Sequence, residues 1–217
     1  MPGFELYVSD TELKDYLRAD HPNVSHDDGE LLDALTSACR EIDNWCGRAG
    51  FYQVIDADDT PTARTFRPDS ACGVLNVTDF WTVDGLVVAT DDDDDGVYET
   101  AWTLGTDFEV EPADGIYGGL TGFPFWELWP LNRQWPTSGT RRRPVQVTAR
   151  WGWETTPPQV IRATKVLTAT FGAVRSSPTG VIAMGDFGGV RIPADLYRTI
   201  TQALQPFRRV DVTTGIA

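Results

Sequence analysis

Two stretches with helical periodicity, Asp28 to Arg48 and Pro157 to Arg175, bracket a long middle section of short apolar runs broken by turn residues. That order is the order of one helical unit split by a β insertion. In the first stretch Leu31, Leu32, Leu35, Ala38, Ile42, Trp45 and Cys46 recur at steps of three and four, with Glu30, Asp33, Arg40, Glu41 and Asp43 on the other side. The stripe reads as a core face, and Gly47 and Gly50 end the helix, because glycine tolerates the left-handed backbone of a helix terminus. Pro157-Pro158 opens the later helix, at positions whose amides would lack a partner anyway. Val160, Ile161, Thr164, Val166, Leu167, Thr170, Phe171 and Val174 then give it a broad apolar face.

Two shorter helices complete the set. Ser9-Asp10-Thr11-Glu12 fits a capping box and predicts a helix from about Asp10 to Arg18. Pro193 starts the last one, with Leu196, Tyr197, Ile200, Leu204 and Phe207 on its inner side. Between the halves, candidate strands are Arg64–Phe66, Gly73–Val77, Phe80–Val83, Leu86–Thr90, Val97–Thr103, Phe108–Glu111 and Val145–Trp151. Asp91 to Gly96 separates two of them as a charged hairpin tip. The stretch Gly118 to Trp135 is rich in proline and reads as an ordered loop or an edge. The expected fold class is therefore α+β: a small α-helical bundle of about four helices, residues 1–50 and 151–217, interrupted by an inserted antiparallel β subdomain, residues 51–150.

Charge restricts the partners. The net charge is −14, and residues 1–150 hold 11 Lys/Arg against 28 Asp/Glu, whereas residues 151–217 hold 7 against 4. A surface this negative repels phosphate, which argues against sequence-reading nucleic-acid binding but suits a wall that DNA slides past without sticking. Cys39 and Cys46 lie seven residues apart on one helix, about 10.5 Å along its axis, too far for a disulfide. Together with the single remaining Cys72, this is the usage of a reduced, cytosol-made protein. No signal peptide is visible and no apolar run approaches about 18 residues, so no membrane span is expected.

Few constellations carry chemistry. Asp91-Asp92-Asp93-Asp94-Asp95-Gly96 partly imitates a calcium loop, with Asp91, Asp93, Asp95 and Glu99 as the candidate ligands. An EF-hand needs a bidentate acid at loop position twelve, and Trp102 stands there. His21 and His26 have neither a cysteine pair nor a second metal-ligand motif beside them. Gly185 to Gly189 lacks the Lys-Ser/Thr of a phosphate-binding loop. Trp126, Trp129 and Trp135, with Phe123 and Phe125, suit either a β core or a platform for a sugar or a partner protein. The platform and the acidic hairpin together define an alternative reading, a calcium-assisted carbohydrate-binding β module. No enzymatic constellation, cofactor or firm metal site is expected.

Leu13-Lys14-Asp15-Tyr16-Leu17, Leu31 to Leu35, Ile42-Asp43-Asn44-Trp45-Cys46-Gly47-Arg48, Val147 to Trp153 and Pro157 to Ala163 follow one another in a specific order. That order resembles the head-tail connector, or adaptor, proteins of long-tailed bacteriophages. Ser176 to Gly180 followed by Gly185-Asp186-Phe187-Gly188 is similar to the same family's segment after its penultimate helix. The resemblance implies a non-enzymatic virion protein of the neck, assembled in the bacterial host cytoplasm. It implies a homo-oligomeric ring, commonly a dodecamer, between the portal protein and the next neck or tail component. DNA would pass through that ring without sequence-specific binding. Within this expectation Phe187 is an apolar docking anchor, Arg191 pairs with a partner carboxylate, and Trp126 and Trp129 contact neighbours.

Overall fold

The computed structural model describes residues 6–20, 28–52, 60–137, 139, 143–176, 181–182, 190–191 and 194–209. The chain divides into two compact units, Met1–Phe51 with Thr156–Ala217, and Tyr52–Thr155.

Among its described residues the first unit holds four helices: α1 (Asp10–Asp20), α2 (Asp28–Cys46), α3 (Pro158–Ser176) and α4 (Ala194–Leu204), the last continued by a 3-10 turn, Gln205–Phe207. The capping box forms as its residue types require. Ser9 Oγ accepts the Glu12 amide at 3.2 Å, and Glu12 Oε2 accepts the Ser9 amide at 3.1 Å. The Ser9 amide and the Ser9 hydroxyl, which donates to the same Oε2 at 2.9 Å, hold the Glu12 carboxyl below the usual carboxylate range. Leu31, Leu35, Ala38, Ile42 and Cys46 of α2 are buried, as are Val160, Ala163 and Leu167 of α3 and Ile200 and Leu204 of α4. Leu32, at the margin of the α2 stripe, is exposed. A two-residue ladder, β7 (Val181–Ile182) against β8 (Val190–Arg191), lies between α3 and α4 in sequence.

The second unit is one six-stranded sheet: β1 (Thr62–Phe66), β2 (Leu75–Thr90), β3 (Thr100–Trp102), β4 (Phe108–Glu111), β5 (Phe125–Pro130) and β6 (Val145–Trp151). The order is β1-β6-β2-β5-β4, with β3 also on β2, and every pairing is antiparallel. Alternation along β6 is strict: Val145, Val147, Ala149 and Trp151 are buried and the residues between them are half-buried. They join Leu75, Val77, Phe80, Val88, Trp102, Phe108, Leu128 and Trp135 in one core.

This sheet corrects the expected fold class. The molecule is a sheet-dominated α+β fold, not a small helical bundle carrying a β insertion. Two sequence signals were misleading. Asp84-Gly85 reads as a turn between separate strands, yet Gly85 takes φ +77° inside β2, and the ladder shifts register between Thr82 and Val87. A glycine at positive φ makes a bulge there, so the chain runs on as one sixteen-residue strand. The proline-rich stretch contains β5, which is interior, flanked by β2 and β4. Its prolines fall just before the strand (Pro124) and at its last position (Pro130), where they leave the middle of the ladder intact.

Candidate functional site

The hairpin between β2 and β3 is the most acidic turn of the described chain, and its own carboxylates build it. Asp91 is buried; its Oδ1 accepts the Asp95 amide at 3.1 Å and its Oδ2 the Gly96 amide at 2.9 Å. Asp95 Oδ1 accepts the Val97 amide at 2.7 Å. Asp94 (φ 66°) and Gly96 (φ 97°) provide the left-handed residues that close the loop. The result places one ligand oxygen each from Asp91, Asp93, Asp95 and Glu99 within 4.8 Å of one another. Such a group is chemically suited to a hard divalent cation, which prefers carboxylate oxygens. Asp91 also has a structural task. Replacing it with alanine takes the acceptor from the Gly96 amide and leaves the Asp95 amide its 3.3 Å bond to Asp93 Oδ1, and is expected to cost about 1–3 kcal/mol, read as a lower urea midpoint for the sheet unit.

The aromatic residues do not form an open platform. Trp126 is 6% exposed and Trp135 is 1% exposed. Trp135 stacks on Trp102 at 4.1 Å and donates its indole N–H to the Gly73 carbonyl, while Trp126 meets Tyr117 edge-on at 5.1 Å. Phe123 is buried against Tyr117 and Trp153. Trp129 differs: 43% exposed, it donates its indole N–H to Glu127 Oε2 at 3.1 Å. The odd spacing of Trp126 and Trp129 along β5 sends them to opposite faces. The reading that groups these rings as a sugar-stacking surface is therefore left with Trp129 alone.

Of the other expected site residues, Phe187 lies outside the described residues. Arg191 pairs through its backbone with Val181 in the β7–β8 ladder. The sequence reading passed over the company Trp129 keeps. Glu109 stands opposite Trp129 across the β4–β5 ladder, and Glu111 opposite Glu127. The signal was present in the alternation Glu109-Val110-Glu111 and Glu127-Leu128-Trp129, which puts all four side chains on one face.

The helical unit is tied together by polar groups. Tyr7 donates its hydroxyl to Asp43 Oδ1 and accepts the Phe51 amide at 3.0 Å, while Arg40 pairs with Asp43 Oδ2 at 2.9 Å. Burial, reinforced by the Asp43 charge, drives the Tyr7 phenol far above its usual range and keeps it a donor. Burial also pushes the Cys46 thiol up to about 12 and raises that of Cys39, so neither supplies a thiolate near neutrality. Both are free, as is the exposed Cys72. Arg48 Nε donates to the Phe207 carbonyl at 2.7 Å, and the Cys46 carbonyl accepts the Arg209 amide at 2.7 Å.

No family model matches the sequence, and no curated protein matches it. Solved structures similar to the chain include a neck of an empty GTA particle, computed with C6 symmetry. It shares 13% identity, covers 94% of this chain and 91% of that one, and has a TM-score of 0.49. A neck of a native GTA particle, computed with C12 symmetry, shares 16% identity over 98% of this chain and 99% of that one, with a TM-score of 0.47. No helix among the described residues is long and apolar enough to cross a membrane.

Proposed function

We propose that this chain is a structural neck protein of a phage-like particle, a head-tail connector that closes into a ring below the portal and leaves a passage for DNA. Its work is adhesion and channel geometry, with no bond chemistry. The supporting observation is where the connector-like motif falls. Trp45-Cys46-Gly47-Arg48, one of the ordered motifs of the resemblance, lies where α2 meets the end of the α4 segment: Cys46 and Arg48 hold the backbone after α4. An acid-rich chain suits the passage, because a wall of carboxylates gives DNA phosphates nothing to bind.

The deciding experiment is removal of the chain from a strain that produces the particles. Filled heads and separate tails are expected to accumulate, and supplying the chain in trans is expected to join them. Normal joining without the chain overturns the assignment.

Phe187 and Arg191 form a docking contact with a partner in this reading, one as apolar anchor and the other as partner to a carboxylate. Phe187→Ala is expected to weaken docking to the partner by about tenfold or more while far-UV circular dichroism stays unchanged. Head-tail joining at the parent's efficiency would remove the anchor role.

A further inference from the structure

β4 ends the strand order, and the face it shares with β5 is unusual for a sheet margin. Glu109, Glu111 and Glu127 surround Trp129 there, and neither strand carries a lysine or arginine. Glu111 and Glu127 are direct cross-strand partners, a like-charge arrangement that costs the sheet stability until a cation comes between them. Trp129 is exposed, as is Leu131 two residues on, and its N–H is already held by Glu127. An exposed indole ringed by carboxylates matches one side chain above others. A guanidinium stacks on an aromatic face and donates in its own plane to carboxylates. The chain uses the stacking half of this pairing elsewhere, with Arg64 over Trp151 at 4.5 Å and Arg133 over Trp102 at 5.0 Å.

We infer that this face receives the arginine-bearing surface of a second copy of the chain, supplied by α4 and the turn after it. From Ala194 to Arg209 the sequence holds Arg198, Arg208 and Arg209 against the single acid Asp195. Arg198 and Arg208 are exposed, Arg208 lying over the Trp45 ring at 5.8 Å, and Tyr197, also exposed with its hydroxyl donated to Glu41, offers the apolar face of its ring to Trp129 and Leu131. The two patches are different surfaces of opposite charge, so the contact repeats head to tail, the geometry that closes rings. The inference rests on the ring assembly of the proposed function and names the patches that make it.

The test is sedimentation velocity over a concentration series, in low salt and in about 1 M salt, where the screening length shrinks to about 3 Å. Four samples are compared: the parent, Glu109→Arg/Glu127→Arg, Arg198→Glu/Arg208→Glu, and an equimolar mixture of the two variants. The parent is expected to associate in low salt and to weaken in high salt. Each variant alone is expected to associate about tenfold or more weakly, because it sets like charges face to face. The mixture restores association, since every contact again joins opposite charges, and this restoration also shows both variants to be folded. Variants that associate like the parent, a mixture that stays dissociated, or a parent monomeric throughout each overturn the contact. The last result leaves the neck assignment to the deletion experiment. Normal joining there, with association intact here, removes the assignment and not the contact.

Discussion

Trp151→Ala is expected to remove about 3–5 kcal/mol from the sheet unit, a large share of the roughly 5–15 kcal/mol that holds a typical domain folded. Trp151 is fully buried on β6 and faces Phe80 across the ladder. Its ring meets Phe66 at 5.7 Å and Phe80 at 6.2 Å, lies under the Arg64 guanidinium, and its N–H donates to the Thr62 carbonyl at 2.8 Å. Alanine deletes all four interactions and opens a cavity at the junction of β1, β6 and β2. Trp151→Phe keeps most of the packing and loses one hydrogen bond, so about 1–2 kcal/mol is expected from it. Urea unfolding followed by near-ultraviolet circular dichroism reads both. An alanine variant within about 1 kcal/mol of the parent would mean that the core is centred elsewhere.

What was legible in the sequence follows from which signals are local. The capping box at Ser9 and Glu12 and the period of α2 involve residues within one or two turns, so short-range chemistry decides them and the helices fall where the pattern put them. Strands Phe108–Glu111 and Val145–Trp151 were readable for the same reason, because alternation is a local property. Strand membership is not local. Whether Gly85 turns the chain or bulges it depends on β6 lying alongside, and whether Pro130 bars a strand depends on where the strand stops. Those two ambiguities turned a six-stranded sheet into an apparent insertion.

The site was legible to the same degree. Asp91, Asp93, Asp95 and Glu99 were picked out by spacing, and the hairpin brings them together because the spacing is the turn. Closeness in sequence groups the three tryptophans as either core or platform, and closeness carries no facing: Trp126 and Trp135 lie inside, as the core reading has it, and Trp129 lies outside. The glutamates around Trp129 come from two strands, and only the register joins them.

The helical unit has a comparable weak point in Asp43. It is 6% exposed, and its carboxylate takes the Tyr7 hydroxyl on one oxygen and the Arg40 guanidinium on the other. Through Tyr7 the network reaches the Phe51 amide, and Phe51 in turn packs edge-on against Tyr7 at 5.9 Å and Phe207 at 6.1 Å. Removing the carboxylate takes a charge partner from the half-buried Arg40 guanidinium and the acceptor from the buried Tyr7 phenol, so Asp43→Ala is expected to cost about 3 kcal/mol. The charge has an opposing effect that pH exposes. Burial raises the Asp43 pKa, and the hydrogen bond from Tyr7 and the charge of Arg40 offset this only in part. The folded state therefore holds this proton more tightly than the unfolded chain does. The resulting stabilisation is complete below the ordinary aspartate range, near about 3.9, and is lost as pH rises through the elevated folded value. Asp43→Asn has no proton to exchange, so the stability of the parent minus that of this variant should fall across that window and then level off. Urea midpoints for the two proteins at half-unit pH steps measure the difference. A difference that stays level, or climbs with pH, would show that the ion pair with Arg40 outweighs the desolvation of the carboxylate.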